Sequence, residues 1–222
     1  MQRLPPPTLT DGRIVVRRLH LRDADALQAA IVASVDHLRP WMAWAADEPL
    51  PLETKKTVIA RAAQRWDAGE DFMYAITSAD DDHTIIGGTG LHPRIGPGGL
   101  EIGYWVRADR TRCGVATAAA RLLTAAALRL DGIDRVEIHH DRANFASAAV
   151  PRRLGFRLLD ERPDEIVASG EEGIDWHWRM DAPTWAVVQA ASCQVDRDGR
   201  PLRRSPRVRA APPRARGGRP KR

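Results

Sequence analysis

Cysteine is scarce in this sequence: only Cys113 and Cys193 occur among 222 residues. Two cysteines cannot form the disulfide framework of a small secreted protein, and a reducing compartment is the default for such a chain. Long apolar runs are also missing. No stretch approaches the 18 consecutive apolar residues of a transmembrane helix, and the first residues lack the apolar segment of a signal peptide. The sequence therefore predicts a cytoplasmic protein with no membrane partner.

Acidic residues are scarce only at the C-terminal end, which carries the whole excess of positive charge. Residues 187–222 hold 11 Lys and Arg against 2 Asp and Glu, a net charge of +9, whereas residues 1–186 hold 23 basic and 27 acidic residues, a net charge of −4. The terminal segment is rich in Arg, Pro and Gly and has too few large apolar residues to offset its ordering entropy. We predict a flexible lead-in over residues 1–11, one domain over residues 12–186 and a disordered basic tail over residues 187–222.

Between these ends, some segments have apolar residues at the two-residue period of strands, and others have them at the longer period of helices. The predicted strands are Arg13–Leu19, Phe72–Thr77, Thr84–Leu91, Leu100–Val106, Arg135–His139, Gly155–Leu159 and Ile174–Met180. The predicted helices cover about residues 23–35, 53–67, 114–132 and 145–154. This order predicts an α+β fold with a mixed sheet of about seven strands.

The stretch after the fourth predicted strand has the composition of an anion site. The strand ends at Val106, a loop with Arg107, Arg110 and Arg112 follows, and Gly114 opens a long helix. A helix N-terminus offers unpaired N–H groups and a positive dipole end, and glycine permits close backbone approach. The pattern suits a pyrophosphate. The alternative is a loop with ordinary surface arginines before a core helix.

The same loop matches a known cofactor motif. Thr111–Ala116 fits Gln/Arg-x-x-Gly-x-Gly/Ala and departs from it only at Thr111, where Arg110 or Arg112 stands next to the missing charge. Three further segments agree with the same family in order and spacing: Glu101–Val106, Leu38–Trp44, and the pair Asn144–Ser147 with Leu154–Phe156. Over roughly residues 12–181 the chain resembles the GNAT superfamily of N-acetyltransferases. Within it, the chain is most similar to the branch of ribosomal-protein N-terminal (alanine) acetyltransferases and their relatives that acetylate small molecules.

The resemblance implies a fold and a cosubstrate. The fold is a mostly antiparallel, seven-stranded sheet flanked by helices and splayed between its fourth and fifth strands. Acetyl-CoA lies in that opening, with its pantetheine arm along the fourth strand, and no metal takes part. The residues implied to bind it are Trp105, Val106, Arg107, Arg112, Cys113, Gly114, Val115, Ala116, Thr117 and Asn144.

The family's amine attacks the thioester directly, so a base must keep the amine neutral. Glu101 is the first candidate, because it lies on the strand that borders the thioester. Asp160, Glu161 and Glu165 are weaker alternatives. The alternative without a catalytic role is that Glu101 is a solvated carboxylate on the face of a strand.

The leaving thiolate needs an acid. Many relatives use a tyrosine at the position occupied here by Pro151, and the chain has only Tyr74 and Tyr104. Ser147 is the better candidate, because the resembled branch uses a serine there. Its alternative role is a hydroxyl that bonds the backbone at a helix start. Pro151 also places a helix breaker where the family has a continuous helix.

Other conspicuous side chains have ordinary explanations. Trp41 and Trp44 either line an acceptor pocket or pack in the core, and we favour the pocket. His139 and His140 have too few partners at suitable spacing for a metal site. The thiol of Cys113 has no task in direct attack.

These residues predict an N-acetyltransferase that moves an acetyl group from acetyl-CoA to a primary amine, either a protein N-terminus or a small molecule. One alternative is an inactive acyl-CoA-binding module that serves regulation or interaction. A second is a nucleic-acid-binding protein led by the tail, although the tail lacks the aromatic residues of a stacking platform. Weak RNA or ribosome contact through the tail and a homodimer are left open.

Overall fold

Eight strands form one sheet in residues 4–192, the part of the chain that the computed structural model describes. The strands are β1 Thr8–Thr10, β2 Ile14–Arg18, β3 Phe72–Ser78, β4 Asp81–His92, β5 Gly99–Val106, β6 Arg135–Asp141, β7 Arg157–Pro163 and β8 Ile174–Asp181. Their order is β1-β2-β3-β4-β5-β6-β8-β7, and only the β5–β6 pair is parallel. The predicted α+β fold with a mostly antiparallel sheet is confirmed, with one strand more than expected.

Six α-helices accompany the sheet in the same residues. They are α1 Ala24–Val32, α2 Val35–Leu38, α3 Leu52–Asp67, α4 Val115–Ala127, α5 Phe145–Leu154 and α6 Ala182–Ser192. None of the described helices is both long and apolar enough to cross a membrane.

The alternation along β5 separates two hydrophobic clusters. Leu100 and Ile102 belong to the larger cluster, to which α4 contributes Leu123. Trp105 points to the other side of the sheet and packs against a second cluster that includes Ile31 of α1 and Ile59 of α3. The side chains of β5 therefore reach both faces of the sheet, as the two-residue period predicts.

β5 and β6 pair over only three residues, from Gly99 opposite Arg135 to Glu101 opposite Glu137. Both strands continue beyond this point without pairing to each other. The predicted splay between these strands is confirmed. Within residues 4–192, the β5 backbone after Glu101 has no strand partner on that side.

The predicted helix over residues 23–35 is interrupted. α1 ends at Val32 and α2 begins at Val35. Between them, the buried Ser34 hydroxyl donates to the carbonyl of Ala30 and accepts the N–H of Ala108. The helix expected to reach Gly132 ends at Ala127, and Gly132 lies in the following turn with φ of 79°.

Both predicted chain ends need correction. In the lead-in, Thr8–Thr10 forms the edge strand β1, which pairs with β2. Residues 187–192, expected to be disordered, continue α6. This helix forms because Asp181 accepts the N–H of Thr184 at 2.9 Å and the Trp185 side chain is buried. The rest of the predicted tail, 193–222 with Cys193, lies outside the described residues, as do residues 1–3.

Candidate functional site

A cavity of about 780 Å³ opens beside the splayed strands. Its volume is within the range of small-molecule sites. Six of the predicted site residues line it, namely Trp41, Trp44, Glu101, Trp105, Asn144 and Ser147. The predicted anion loop, with Val106, Arg107 and residues 112–117, does not line this cavity. β5 joins the two regions, because its side chains line the cavity and its C-terminal end leads into the loop.

Two residues of the anion loop have a left-handed backbone conformation. Arg112 has φ of 61° and Gly114, the residue before α4, has φ of 77°. Arg13 of the loop before β2 donates to the carbonyl of Cys113 at 3.3 Å. A Cβ at Gly114 would have no atom of another described residue within 4 Å, its chain neighbours and the backbone of its own helix aside. The first N–H groups of α4 lack partners within the helix and carry its positive dipole end, so this loop can hold an anion.

The three loop arginines are not equivalent. Arg107 donates two hydrogen bonds of 2.7 Å to Asp109, and Arg110 lies 4.0 Å from the same carboxylate. No ion pair of Arg112 is found among the described residues. Its charge is therefore the most available for a phosphate.

Glu101 is held as a carboxylate inside the cavity. The residue is only 6% exposed, and Arg94 donates two hydrogen bonds to its carboxylate, one of them 2.7 Å long. His139 Nδ1 lies 3.6 Å from the Glu101 carboxylate. Burial alone would raise the pKa of Glu101, but the hydrogen bonds and charge of Arg94 outweigh it and hold this pKa below its ordinary value. Such a carboxylate is ionised at neutral pH and only weakly basic.

Cross-strand pairing gathers further titratable groups on the face that carries Glu101. His139 of β6 lies opposite His177 of β8, and their rings stack with centroids 3.8 Å apart. His139 Nε2 lies 2.7 Å from Glu137, which also accepts from Arg179 at 2.8 Å. One potential metal-ligand atom each from Glu137, His139 and His177 lies within 4.8 Å of the other two. The Glu137 carboxylate is already engaged by Arg179 and His139, and the absence of a metal stays a prediction.

Asp175 is a cavity residue that sequence reasoning missed. It lines the cavity, and its carboxylate lies 3.1 Å from His177 Nε2. Burial, together with the negative charges of Asp164 and Glu101, raises the pKa of Asp175 to about 6 despite the opposing charge of His139. The alternation of β8, which puts Asp175 and His177 on one face, is the signal that could have found it.

Ser147 lies in the first turn of α5 and faces Tyr104 of β5. Asn144 caps this helix, because its side-chain oxygen accepts the N–H of Ser147 at 3.0 Å. Ser147 Oγ lies 3.0 Å from Tyr104 Oη, and Tyr104 donates to the Ser147 carbonyl at 3.1 Å. The helix runs through Pro151 without ending. The predicted acid is therefore paired with a tyrosine of the neighbouring strand.

Aromatic side chains form a wall of the cavity. Trp44 meets Trp105 edge to face, with centroids 6.1 Å apart, and Trp41 lines the cavity beside them. A Cβ at Gly88 of β4 would collide with the Trp105 indole, so that glycine makes room for the ring. Trp44 remains 42% exposed. This wall is apolar and partly open, which suits the recognition of an entering ligand.

His140 also lines the cavity, but it follows His139 on β6 and so points to the opposite face of the sheet. Its Nδ1 donates to the carbonyl of Asp141 at 2.8 Å, and its Nε2 accepts from Trp178 at 3.0 Å. Burial lowers the pKa of His140, which favours the neutral ring that this pairing requires. Both ring nitrogens are thus occupied, in line with the structural role expected for His140.

Comparison with known proteins agrees with the fold. A family model described as "Acetyltransferase (GNAT) domain" matches residues 13–157. YdaF of Bacillus subtilis (strain 168), whose name assigns it provisionally as a ribosomal N-acetyltransferase, is 28% identical over 159 residues. That match covers 71% of this chain and 85% of YdaF.

Two solved structures illustrate the structural similarity. RimL, described as a ribosomal L7/L12 α-N-protein acetyltransferase in complex with coenzyme A, has a TM-score of 0.69 at 19% identity and covers 82% of this chain and 99% of its own. The microcin C7 self-immunity acetyltransferase MccE, in complex with acetyl-CoA and AMP, has a TM-score of 0.69 at 20% identity and covers 78% and 93%. At these identities the similarity concerns the fold.

Proposed function

Because the chain belongs to the acetyltransferase (GNAT) family, we propose that it transfers the acetyl group of acetyl-CoA to a primary amine. One observation carries the proposal: β5 links an anion loop to a cavity rich in carboxylates. The loop suits the phosphates of the donor, and the cavity suits a positively charged acceptor. YdaF, RimL and MccE are all named as acetyltransferases, so they give no support to the alternative of an inactive acyl-CoA-binding module.

The donor would bind along β5. Arg112 and the free N–H groups of residues 113–117 would hold its pyrophosphate. Among the described residues, the β5 edge after Glu101 has no strand partner on the β6 side, so it can pair with the amides of the pantetheine arm as with an added strand. A backbone N–H near Val106 would then polarise the thioester carbonyl. Acetyl-CoA supplies an activated acyl carbon that an amine can attack directly.

The base would be a carboxylate of the cavity. An α-ammonium group has a pKa of about 8, so a weak base acting directly or through water can deprotonate it. Glu101 was predicted for this role, but its ion pair with Arg94 makes it a poor proton acceptor. We assign the base to Asp175, whose pKa is raised to about 6, and assign Glu101 to holding the ammonium group by charge.

Ser147 would act as the acid for the leaving thiolate. It lines the cavity at the N-terminal end of α5, as does Asn144. The helix dipole at this end favours the negative charge that develops on sulfur. Asn144, expected to contact the donor, caps the helix and so fixes the position of Ser147.

The acceptor is best assigned to a protein N-terminus, with a small amine as the second candidate. Glu101, Asp164, Glu165, Glu171 and Asp175 all line the cavity. This charge selects cations, and Trp41 and Trp44 offer apolar contact to the residue behind the amine. YdaF and RimL are named for ribosomal targets, which favours an acceptor met in the cytoplasm.

The test is release of free thiol from acetyl-CoA in the presence of different amines. Peptides with free N-termini should support release, and the same peptides blocked at the N-terminus serve as the control. Aminoglycosides and polyamines test the second candidate. Equal release with free and blocked peptides would contradict acetylation of the N-terminus.

Two partner predictions remain from the sequence. The basic tail beyond Ser192 would contact RNA or the ribosome through charge alone, which would raise the local concentration of ribosomal acceptors. A homodimer is the second. We treat both as separate from the chemical step.

A further inference from the structure

Pro151 leaves one carbonyl of α5 without its helical partner. In an α-helix the N–H of each residue bonds to the carbonyl four residues earlier. Pro151 has no N–H, so the carbonyl of Ser147 receives no bond from it. Pro151 is buried, and α5 nevertheless continues from Phe145 to Leu154. The Ser147 carbonyl must therefore find another donor.

Tyr104 supplies that donor and also contacts the serine hydroxyl. Its Oη donates to the Ser147 carbonyl at 3.1 Å and lies 3.0 Å from Ser147 Oγ. A tyrosine hydroxyl has one proton, so a full hydrogen bond can go to only one of these oxygens at a time. Burial raises the pKa of Tyr104 despite an opposing hydrogen bond from Ser147, so the phenol keeps its proton.

We propose that Tyr104 is a positioning residue for Ser147. The single hydroxyl proton of Tyr104 turns between the Ser147 carbonyl, which Pro151 leaves without its helical donor, and Ser147 Oγ. The inference rests on the proposed function, in which Ser147 protonates the leaving thiolate. In the resting protein Tyr104 donates to the carbonyl and Ser147 Oγ–H points to Tyr104. During transfer Tyr104 donates to Ser147 Oγ, which frees the serine proton for sulfur and stabilises the oxygen that loses it.

The proton balance of the step is complete. The amine nitrogen forms a bond to the acyl carbon, and the carbon–sulfur bond breaks with its electron pair going to sulfur. Sulfur takes the proton of Ser147 Oγ. Ser147 regains a proton, through water in the cleft, from the nitrogen that has become an amide. Tyr104 keeps its own proton throughout and changes only the oxygen to which it donates.

A purely structural role of Tyr104 can be separated from this one, because the chain offers its own control. Pro151→Ala restores an N–H that can bond the Ser147 carbonyl, so the helix no longer needs Tyr104. Three full-length variants are required: Tyr104→Phe, Pro151→Ala and the double variant. Melting temperature, kcat and KM for both substrates are measured for each.

The proposal predicts that Tyr104→Phe lowers the melting temperature and lowers kcat by about tenfold or more, with KM for acetyl-CoA little changed. The double variant should recover the melting temperature but not kcat. Pro151→Ala alone should keep a turnover close to that of the unsubstituted protein. Recovery of full kcat in the double variant would overturn the inference, because Tyr104 would then only satisfy the carbonyl.

The failure of the proposed function gives a different result. If the unsubstituted protein released no thiol with any amine, the proposed function and this inference would fall together. If Ser147→Ala kept full kcat, the acid role of Ser147 would be refuted and the positioning role of Tyr104 with it. Two outcomes overturn the role of Tyr104 alone: an unchanged kcat in Tyr104→Phe, or a restored kcat in the double variant.

Discussion

The two regions joined by β5 work through different parts of the chain. The loop after Val106 offers mainly backbone N–H groups. Arg112 and Gly114, both with left-handed backbone conformations, place these groups at the start of α4. The cavity before it offers side chains from several strands, among them Glu101, His139 and Asp175. A backbone site is encoded by neighbouring residues, whereas a side-chain site is assembled by strand pairing. The two regions should therefore respond to substitution in different ways.

The largest effect is expected in the loop. Gly114→Glu puts a negative charge and an unfavourable φ where an anion should bind, so binding of acetyl-CoA should fall by about 100-fold or more. Calorimetry gives the affinity. Cys113→Ser is the matched control, since direct attack by the amine gives the thiol no task, and this variant should bind acetyl-CoA normally. Unchanged affinity of Gly114→Glu for acetyl-CoA would show that this loop does not bind the phosphates.

In the cavity, Ser147→Ala should lower kcat by about 100-fold, within the range for loss of a general acid, and leave acetyl-CoA affinity nearly intact. Steady-state kinetics combined with calorimetry separates the two quantities. An affinity that falls together with kcat would place Ser147 in donor binding and blur the difference between the two regions.

Asp175→Asn should lower kcat/KM by about tenfold or more near neutral pH, because the amine loses its base. In the unsubstituted protein, kcat/KM should rise with pH through about 6 as Asp175 ionises. This acidic limb of the pH profile should vanish in the variant. Glu101→Gln is the matched comparison. It should weaken acceptor binding and keep the limb near pH 6. A limb that vanishes in the Glu101 variant instead would return the base role to Glu101.

The raised pKa of Asp175 also predicts a pH effect on stability. Between its ordinary value and about 6, the folded state binds more protons at this group than the unfolded state does. The free energy of unfolding contributed by this group therefore falls as pH rises through that window. Asp175→Asn should flatten the slope, which chemical denaturation at several pH values can measure. A slope unaltered by the substitution would mean that Asp175 titrates normally.

The smallest effect is expected for the tail. Truncation after Ser192 keeps α6 and its buried Trp185, so the melting temperature and the turnover of small amines should be unchanged. If the tail tethers the enzyme, truncation should abolish RNA binding that falls steeply between about 50 and 200 mM salt. Equal RNA binding with and without the tail would refute the tether.

The sequence was most informative where function depends on neighbouring residues. The run from Val106 to Thr117 predicts a strand, a basic loop and a helix start, and the structure has all three. The limits Phe145 and Leu154 of the helix that holds Ser147 also agree with the structure. Local spacing, capping and turn residues are sufficient for such features.

What could not be predicted depends on contacts between distant segments. Arg94, which lies on the turn before β5, lowers the pKa of Glu101, and the charges around Asp175 come from two strands and a loop. The contact of Tyr104 with Ser147 spans 43 residues, and it gives the Ser147 carbonyl the donor that Pro151 lacks. The strand β1 was missed because Thr8–Thr10 is too short for a two-residue period to stand out.

The most direct test of the central claim is mass spectrometry of a peptide with a free N-terminus after incubation with the protein and acetyl-CoA. The peptide should contain one lysine, so that α- and ε-acetylation are resolved by fragmentation. We predict one added acetyl group on the α-amine, absent with the Gly114→Glu variant and strongly reduced with Asp175→Asn. Saturable binding of acetyl-CoA with no acetyl group on any amine would contradict the account.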